Sequence, residues 1–111
     1  MNIENSITNN QWNKLVWAVK RHVASEPEIN DDRIYVYESK RQTGIYDNYD
    51  YCYSPGLIFS KGMLYAWSNS EQHKAPITFN TGMTIAENFF NDTGVHTAES
   101  IVCDYVMDNN L

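Results

Sequence analysis

Few residues in this chain could do covalent chemistry, and their spacing narrows what that chemistry would be. Glu38-Ser39-Lys40 sets a carboxylate that could hold magnesium beside a lysine that could polarise water, the pairing a metal-dependent nuclease would use. A three-residue piece of this kind recurs by chance, and the acidic charge elsewhere in the chain is the wrong sign for gripping phosphates. His22, His73 and His96 fall in three separate predicted elements, so no local pair of imidazole ligands is formed. His96 and Glu99 stand three apart, but His96 precedes a predicted helix cap and need not share a face with Glu99. Cys52 and Cys103 lie far apart with no CxxC, which leaves no thiolate cage. No Gly-x-Ser-x-Gly elbow presents a nucleophile, and Gly56, Gly62, Gly82 and Gly94 are too isolated to cradle a phosphate. We therefore expect no cofactor, no metal and no enzymatic activity. The alternative is a small hydrolase or nuclease-like enzyme whose Glu38, Lys40 or His–Cys pair converges only in three dimensions.

The charge points to recognition. The 111 residues carry a net charge of −6, unevenly placed. Residues 1–41 balance Glu4, Glu26, Glu28, Asp31, Asp32 and Glu38 against Lys14, Lys20, Arg21, Arg33, Lys40 and Arg41. After Lys74 the chain holds Glu87, Asp92, Glu99, Asp104 and Asp108 and no lysine or arginine. A one-signed surface of this kind repels nucleic acid and anionic membranes and speeds encounter with a basic partner. The plainer explanation of such a charge is solubility.

The start of the chain has no charged n-region leading into an apolar run, and no run is long enough to span a bilayer, so we expect a cytoplasmic protein. In that compartment Cys52 and Cys103 stay reduced and pack as small apolar groups. Asn91-Asp92-Thr93 fits the glycosylation pattern but lacks a secretory context.

Six of the eight tyrosines, Tyr35, Tyr37, Tyr46, Tyr49, Tyr51 and Tyr53, fall within one stretch. Tyrosine supplies broad contact area at low conformational entropy, which suits it to binding surfaces. Asp47 and Asp50 sit among these rings, so a base-stacking platform, which needs a basic groove, is not indicated. We expect Tyr46 and Tyr49 at an exposed surface and Tyr35, Tyr37 and Tyr53 on the core side.

The elements that would carry these groups follow from periodicity. Residues 1–7 read as a loose lead-in. Thr8 or Asn9 caps a helix over 11–24 in which Trp12, Leu15, Val16, Val19 and Val23 form the apolar stripe. Trp17 and His22 fall off its centre. A loop follows around Pro27, then a strand over 33–38, a turn over 39–44, and a strand over 45–53. Ser54-Pro55-Gly56 reads as a turn, 57–59 and 63–67 as a hairpin about Ser60-Lys61-Gly62, and 76–79 as a last edge strand. Thr84-Ile85-Ala86-Glu87 has the form of a capping box opening a helix that Thr93-Gly94 stops. Thr97 then caps a final helix with Ala98, Ile101, Val102, Tyr105 and Val106 inward.

These elements amount to one α+β domain over residues 1–111: one N-terminal helix, a mainly antiparallel sheet of about four to five strands, and two short C-terminal helices. The functional expectation is an acidic protein-binding module, an inhibitor that covers a basic or nucleic-acid-binding site on a partner, as immunity and anti-defence proteins of mobile elements do. Tyr46, Asp47, Tyr49, Asp50, Tyr51, Asp92, Glu99, Asp104 and Asp108 are the expected contact residues. The partner is a protein with a basic surface, with no direct nucleic acid and no membrane; a homodimer stays open as an alternative.

Overall fold

The structure is a computed structural model that describes residues 4–25, 34–38, 43–47, 55–68, 73–89 and 92–109. Helix α1, Asn9–Ser25, opens the chain and is followed by strands β1 Ile34–Glu38, β2 Thr43–Asp47, β3 Pro55–Ser60, β4 Met63–Ser68 and β5 His73–Pro76. Helices α2, Phe79–Glu87, and α3, Asp92–Asn109, close it. The expected α+β order is therefore the observed one. The strands pair in sequence order as a five-stranded antiparallel meander.

Alternation along these strands sorts the sheet into two sides. Register places Ile45 opposite Leu57, Leu57 opposite Ala66 and Ala66 opposite Ala75, and all four are buried in one cluster with Leu64. The helices supply the other half of that cluster: Trp12, Leu15, Val19 and Val23 from α1, Ile85 and Ala86 from α2, and Ala98 and Val102 from α3. All three helices thus cover the same side of the sheet. Val36 pairs with Ile45 in the β1–β2 ladder. The side chains of Tyr35 and Tyr37, expected on the core side, and the whole of Tyr53 lie outside what the structure describes.

Helix α1 starts as its sequence implies. The Gln11 amide donates to Thr8 Oγ1 at 3.1 Å and the Thr8 amide donates to Gln11 Oε1 at 2.9 Å, a reciprocal capping box. The described residues of the expected lead-in, 4–7, are not loose. The Ile7 amide donates to the Gly62 carbonyl at 2.9 Å and the Leu64 amide to the Asn5 carbonyl at 2.8 Å, so the segment is tied to the β3–β4 hairpin. That hairpin turns through Lys61 and Gly62, both at positive φ, 53° and 77°. Two left-handed residues in succession match the twist of the flanking strands.

Four boundaries differ from the sequence reading. Pro55 and Gly56 are strand residues, not a turn: Pro55 pairs with Ser68 as the first residue of β3, and Gly56 stands between Tyr46 and Trp67. The last strand is His73–Pro76 rather than 76–79, an edge strand that proline ends rather than begins. Helix α2 is capped by Thr78, whose Oγ1 accepts from the Thr81 amide at 3.1 Å, so Thr84–Glu87 forms its last turn instead of its first. Thr93, Gly94 and Thr97 all lie within α3, where the sequence suggested a stop and a new cap. Helix α2 instead ends at Asn88, whose amide donates to the Ile85 carbonyl at 3.1 Å. The expected loop at Pro27, most of the 39–44 turn and the far half of the 45–53 strand lie outside the described residues.

Gly82 sets how closely α2 approaches its neighbours. A Cβ there would stand 2.8 Å from Leu64 Cδ2 and 3.3 Å from Leu15 Cδ2, and both leucines are fully buried. Replacing Gly82 with alanine gains about 1 kcal/mol of helix propensity but forces two packed side chains off their rotamers, at about 1–3 kcal/mol. Urea unfolding of Gly82→Ala is expected to show a net loss of stability. An alanine variant as stable as the wild type would mean that α2 is free to move outward.

Candidate partner-binding surfaces

Helix α3 carries the expected acids at Asp92, Glu99, Asp104 and Asp108, and no lysine or arginine. Ala98 and Val102 are fully buried beneath it, with Ile101, Tyr105 and Val106 packed partly against the core. This seating turns Asp104 and Asp108, one turn apart, to solvent. Met107 stands between them, 70% exposed. The helix has no basic residue in its last turn, and the Asn109 side-chain amide donates to the Tyr105 carbonyl at 2.8 Å.

Asp108, in the last turn, opposes the helix dipole, at about 0.3–1 kcal/mol when exposed. A like-charged pair four residues apart adds about 0.2–0.5 kcal/mol against the fold. Among the described residues neither Asp104 nor Asp108 makes an ion pair. Folding alone gives no reason for this arrangement.

The tyrosines sit elsewhere. Register lines up positions Tyr35, Tyr46, Gly56, Trp67 and Lys74 across the sheet, with Tyr37, Gly44, Ile58, Tyr65 and Pro76 as the next row. The described side chains of these rows, Ile58, Tyr65, Trp67 and Lys74, fall on the side away from the helices. Tyr65 and Trp67 are half-buried there, Lys74 Nζ lies 4.6 Å from the Tyr65 ring centroid, and the Tyr65 hydroxyl donates to Met63 Sδ at 3.7 Å. Asp47 pairs with Ile34 and Tyr46 with Tyr35 along the β1–β2 ladder, and the side chains of both fall outside what the structure describes. Tyr49, Asp50 and Tyr51 lie outside the described residues. The expected contact residues are thus divided between α3, in the helical layer, and strand β2 with the segment after it.

A third surface has no counterpart in the sequence expectations. Helix α1 holds Lys14, Lys20 and Arg21 and no acid, and its solvent-facing stripe forms one wall of a groove of about 750 Å³ against α2. Lys14, Trp17, Arg21 and His22 line one wall, with Met83 and Glu87 on the other. Trp17 is 64% exposed, and the Arg21 guanidinium lies over its ring at 5.7 Å. The sequence held one signal for this surface, an aromatic residue and a base four apart on the side of α1 opposite the apolar stripe.

The groups considered for catalysis are spread out. His22, His73 and His96 belong to α1, β5 and α3, Glu38 ends β1, and Cys103 is a half-buried free thiol on α3. Lys40 and Cys52 lie outside the described residues. Among the described residues no three histidine, cysteine, aspartate or glutamate side chains converge as metal ligands, and no helix is long and apolar enough to cross a membrane. Compared with protein-family models, curated proteins and solved structures, the chain matches none.

If the α3 acids are held for contact rather than for folding, reversing one should stabilise the protein. Asp108→Lys is expected to raise stability by about 0.3–1 kcal/mol, read as an increase in the denaturant midpoint at unchanged slope. A destabilised variant would show that Asp108 has a structural role.

Proposed function

We propose that this protein is a protein-binding module that presents the acidic face of α3 to a basic partner, acting as an inhibitor that covers a basic or nucleic-acid-binding surface. The observation that carries this reading is the exposed pair Asp104 and Asp108 on a helix without a base, in an arrangement unfavourable to the helix itself. Carboxylates repeating along a rigid helix can occupy positions that phosphates would take on the partner. Their fields also raise the association rate, most strongly at low salt. Asp92 and Glu99 lie nearer the start of the same helix but, at 3.6 residues per turn, about 120–180° around it from Asp104 and Asp108, so in this proposal they meet a different part of the partner.

The tyrosine-bearing side of the sheet enters this reading separately. Tyr46 lies on β2, within the sheet rather than on α3, so a partner that reaches both does so around the sheet edge or through a second contact. Asp47, Tyr49, Asp50 and Tyr51 belong to that second contact. The compartment proposed is the cytoplasm, where basic nucleic-acid-binding proteins are abundant.

The test is comparative capture from a nuclease-treated extract of the native host, with wild-type protein and the Asp104→Asn/Asp108→Asn variant as baits. The wild type is expected to retain basic proteins that added duplex DNA releases. The variant should retain at least about tenfold less, because each desolvated charge contact contributes on the order of 1 kcal/mol or more. Equal retention by the two baits, or a captured protein indifferent to DNA, contradicts the proposal.

A further inference from the structure

We propose that the α1–α2 groove receives the acidic face of α3 from a second copy of this chain, giving a head-to-tail association. The two surfaces complement each other in charge and in pattern. On α1, Lys14, Trp17 and Arg21 are all exposed, and Trp17 carries one of the largest exposed apolar areas among the described residues, at 64%. On α3, Asp104, Met107 and Asp108 are all exposed, and Met107, at 70%, carries the other. Lys14 precedes Trp17 by three residues, and Asp104 precedes Met107 by three. Each helix therefore sets a charge and an apolar anchor about 4.5 Å apart along its axis, with signs opposite between the two.

Within one molecule these surfaces do not meet. Helix α2 packs against both α1 and α3, and among the described residues no ion pair joins Lys14 or Arg21 to Asp104 or Asp108. A second molecule can bring them together. The Met107 thioether would then lie on the Trp17 indole, a favourable sulfur–aromatic contact, and the Arg21 guanidinium over the same ring would meet a carboxylate. Tryptophan and arginine are the side chains most often responsible for binding energy at protein interfaces. Met83 and Glu87 form the groove's far wall, where Met83 offers apolar contact and the Glu87 carboxylate repels Asp104 and Asp108, so the incoming carboxylates would sit against the α1 wall beside Lys14 and Arg21. Because donor and acceptor surfaces differ, the contact is heterologous and leaves one of each free for the next copy.

The inference rests on the reading of α3 as a contact surface and names α1 as a basic surface that it fits. The two can fail separately, because the α3 reading gives α1 no role in binding a foreign basic partner.

The experiment is sedimentation equilibrium on the full chain over a range of concentrations at low salt, with two neutralised variants whose folding is checked by circular dichroism. Trp17→Ala/Arg21→Ala removes the acceptor, and Asp104→Asn/Asp108→Asn removes the donor. The wild-type mass is expected to rise with concentration and to fall back as salt is added. Each variant alone should associate at least about tenfold more weakly. An equimolar mixture of the two should form a 1:1 dimer that grows no further, since only one complementary pair of surfaces remains. A wild type monomeric at every concentration, or a mixture that stays monomeric, overturns the proposal and leaves the groove to an acidic segment of another protein. Foreign partner capture that survives Trp17→Ala/Arg21→Ala and is lost in the donor variant supports the α3 reading whichever way self-association turns out.

Discussion

Alternation along five antiparallel strands decides where every other group in this protein can sit. Ile45, Leu57, Leu64, Ala66 and Ala75 face one way, and three helices close over them. A side chain one position along any of these strands is committed to the opposite side, since a slip of one residue would reverse the whole pattern. Trp67 is therefore on the far side of the sheet from α3 because Ala66 is in the core. The separation of aromatic and acidic surfaces is a consequence of strand geometry rather than of loop placement.

The helical layer distributes charge with a similar economy. Helix α1 buries Trp12, Leu15, Val19 and Val23 and turns Lys14 and Arg21 outward, while α3 buries Ala98 and Val102 and turns Asp104 and Asp108 outward. Each buried stripe fixes which residues of its helix are left exposed. Gly82 allows α2 to fit tightly against Leu15 and Leu64, so the two charged helices are held as rigid flanks of one layer. Neither set of charges is spent on ion pairs among the described residues, so both remain free for contact with other molecules.

Where the sequence was legible, one signal dominated. The spacing of Trp12, Leu15, Val19 and Val23 with Thr8 and Gln11 ahead of it admits little but a capped helix, and Lys61-Gly62 between apolar runs admits little but a hairpin. Where signals conflicted, long-range contacts decided. Ile77-Thr78-Phe79 has strand composition, yet the Ile77 amide donates to the Leu64 carbonyl at 3.2 Å and Thr78 then caps α2. Gly94 looks like a stop but falls in the first turn of α3. Pro55-Gly56 looks like a turn but is strand, where Gly56 leaves room between Tyr46 and Trp67. The exposure of Asp104 and Asp108 could be read from helical periodicity. The α1–α2 groove could not, because it depends on where α2 begins.

If the charged faces of α1 and α3 are kept for contact, they do not hold the fold together. The thermal midpoint of the isolated protein at low concentration, followed as salt rises from about 0.01 M to about 0.15 M, reads this out, because the screening length falls from about 30 Å to about 8 Å. The midpoint is expected to rise or hold steady, since the repulsion within α3 and the net charge of −6 are what salt would relieve. A midpoint that falls as salt is added would mean that attractive ion pairs stabilise the native state and that these charges serve the fold.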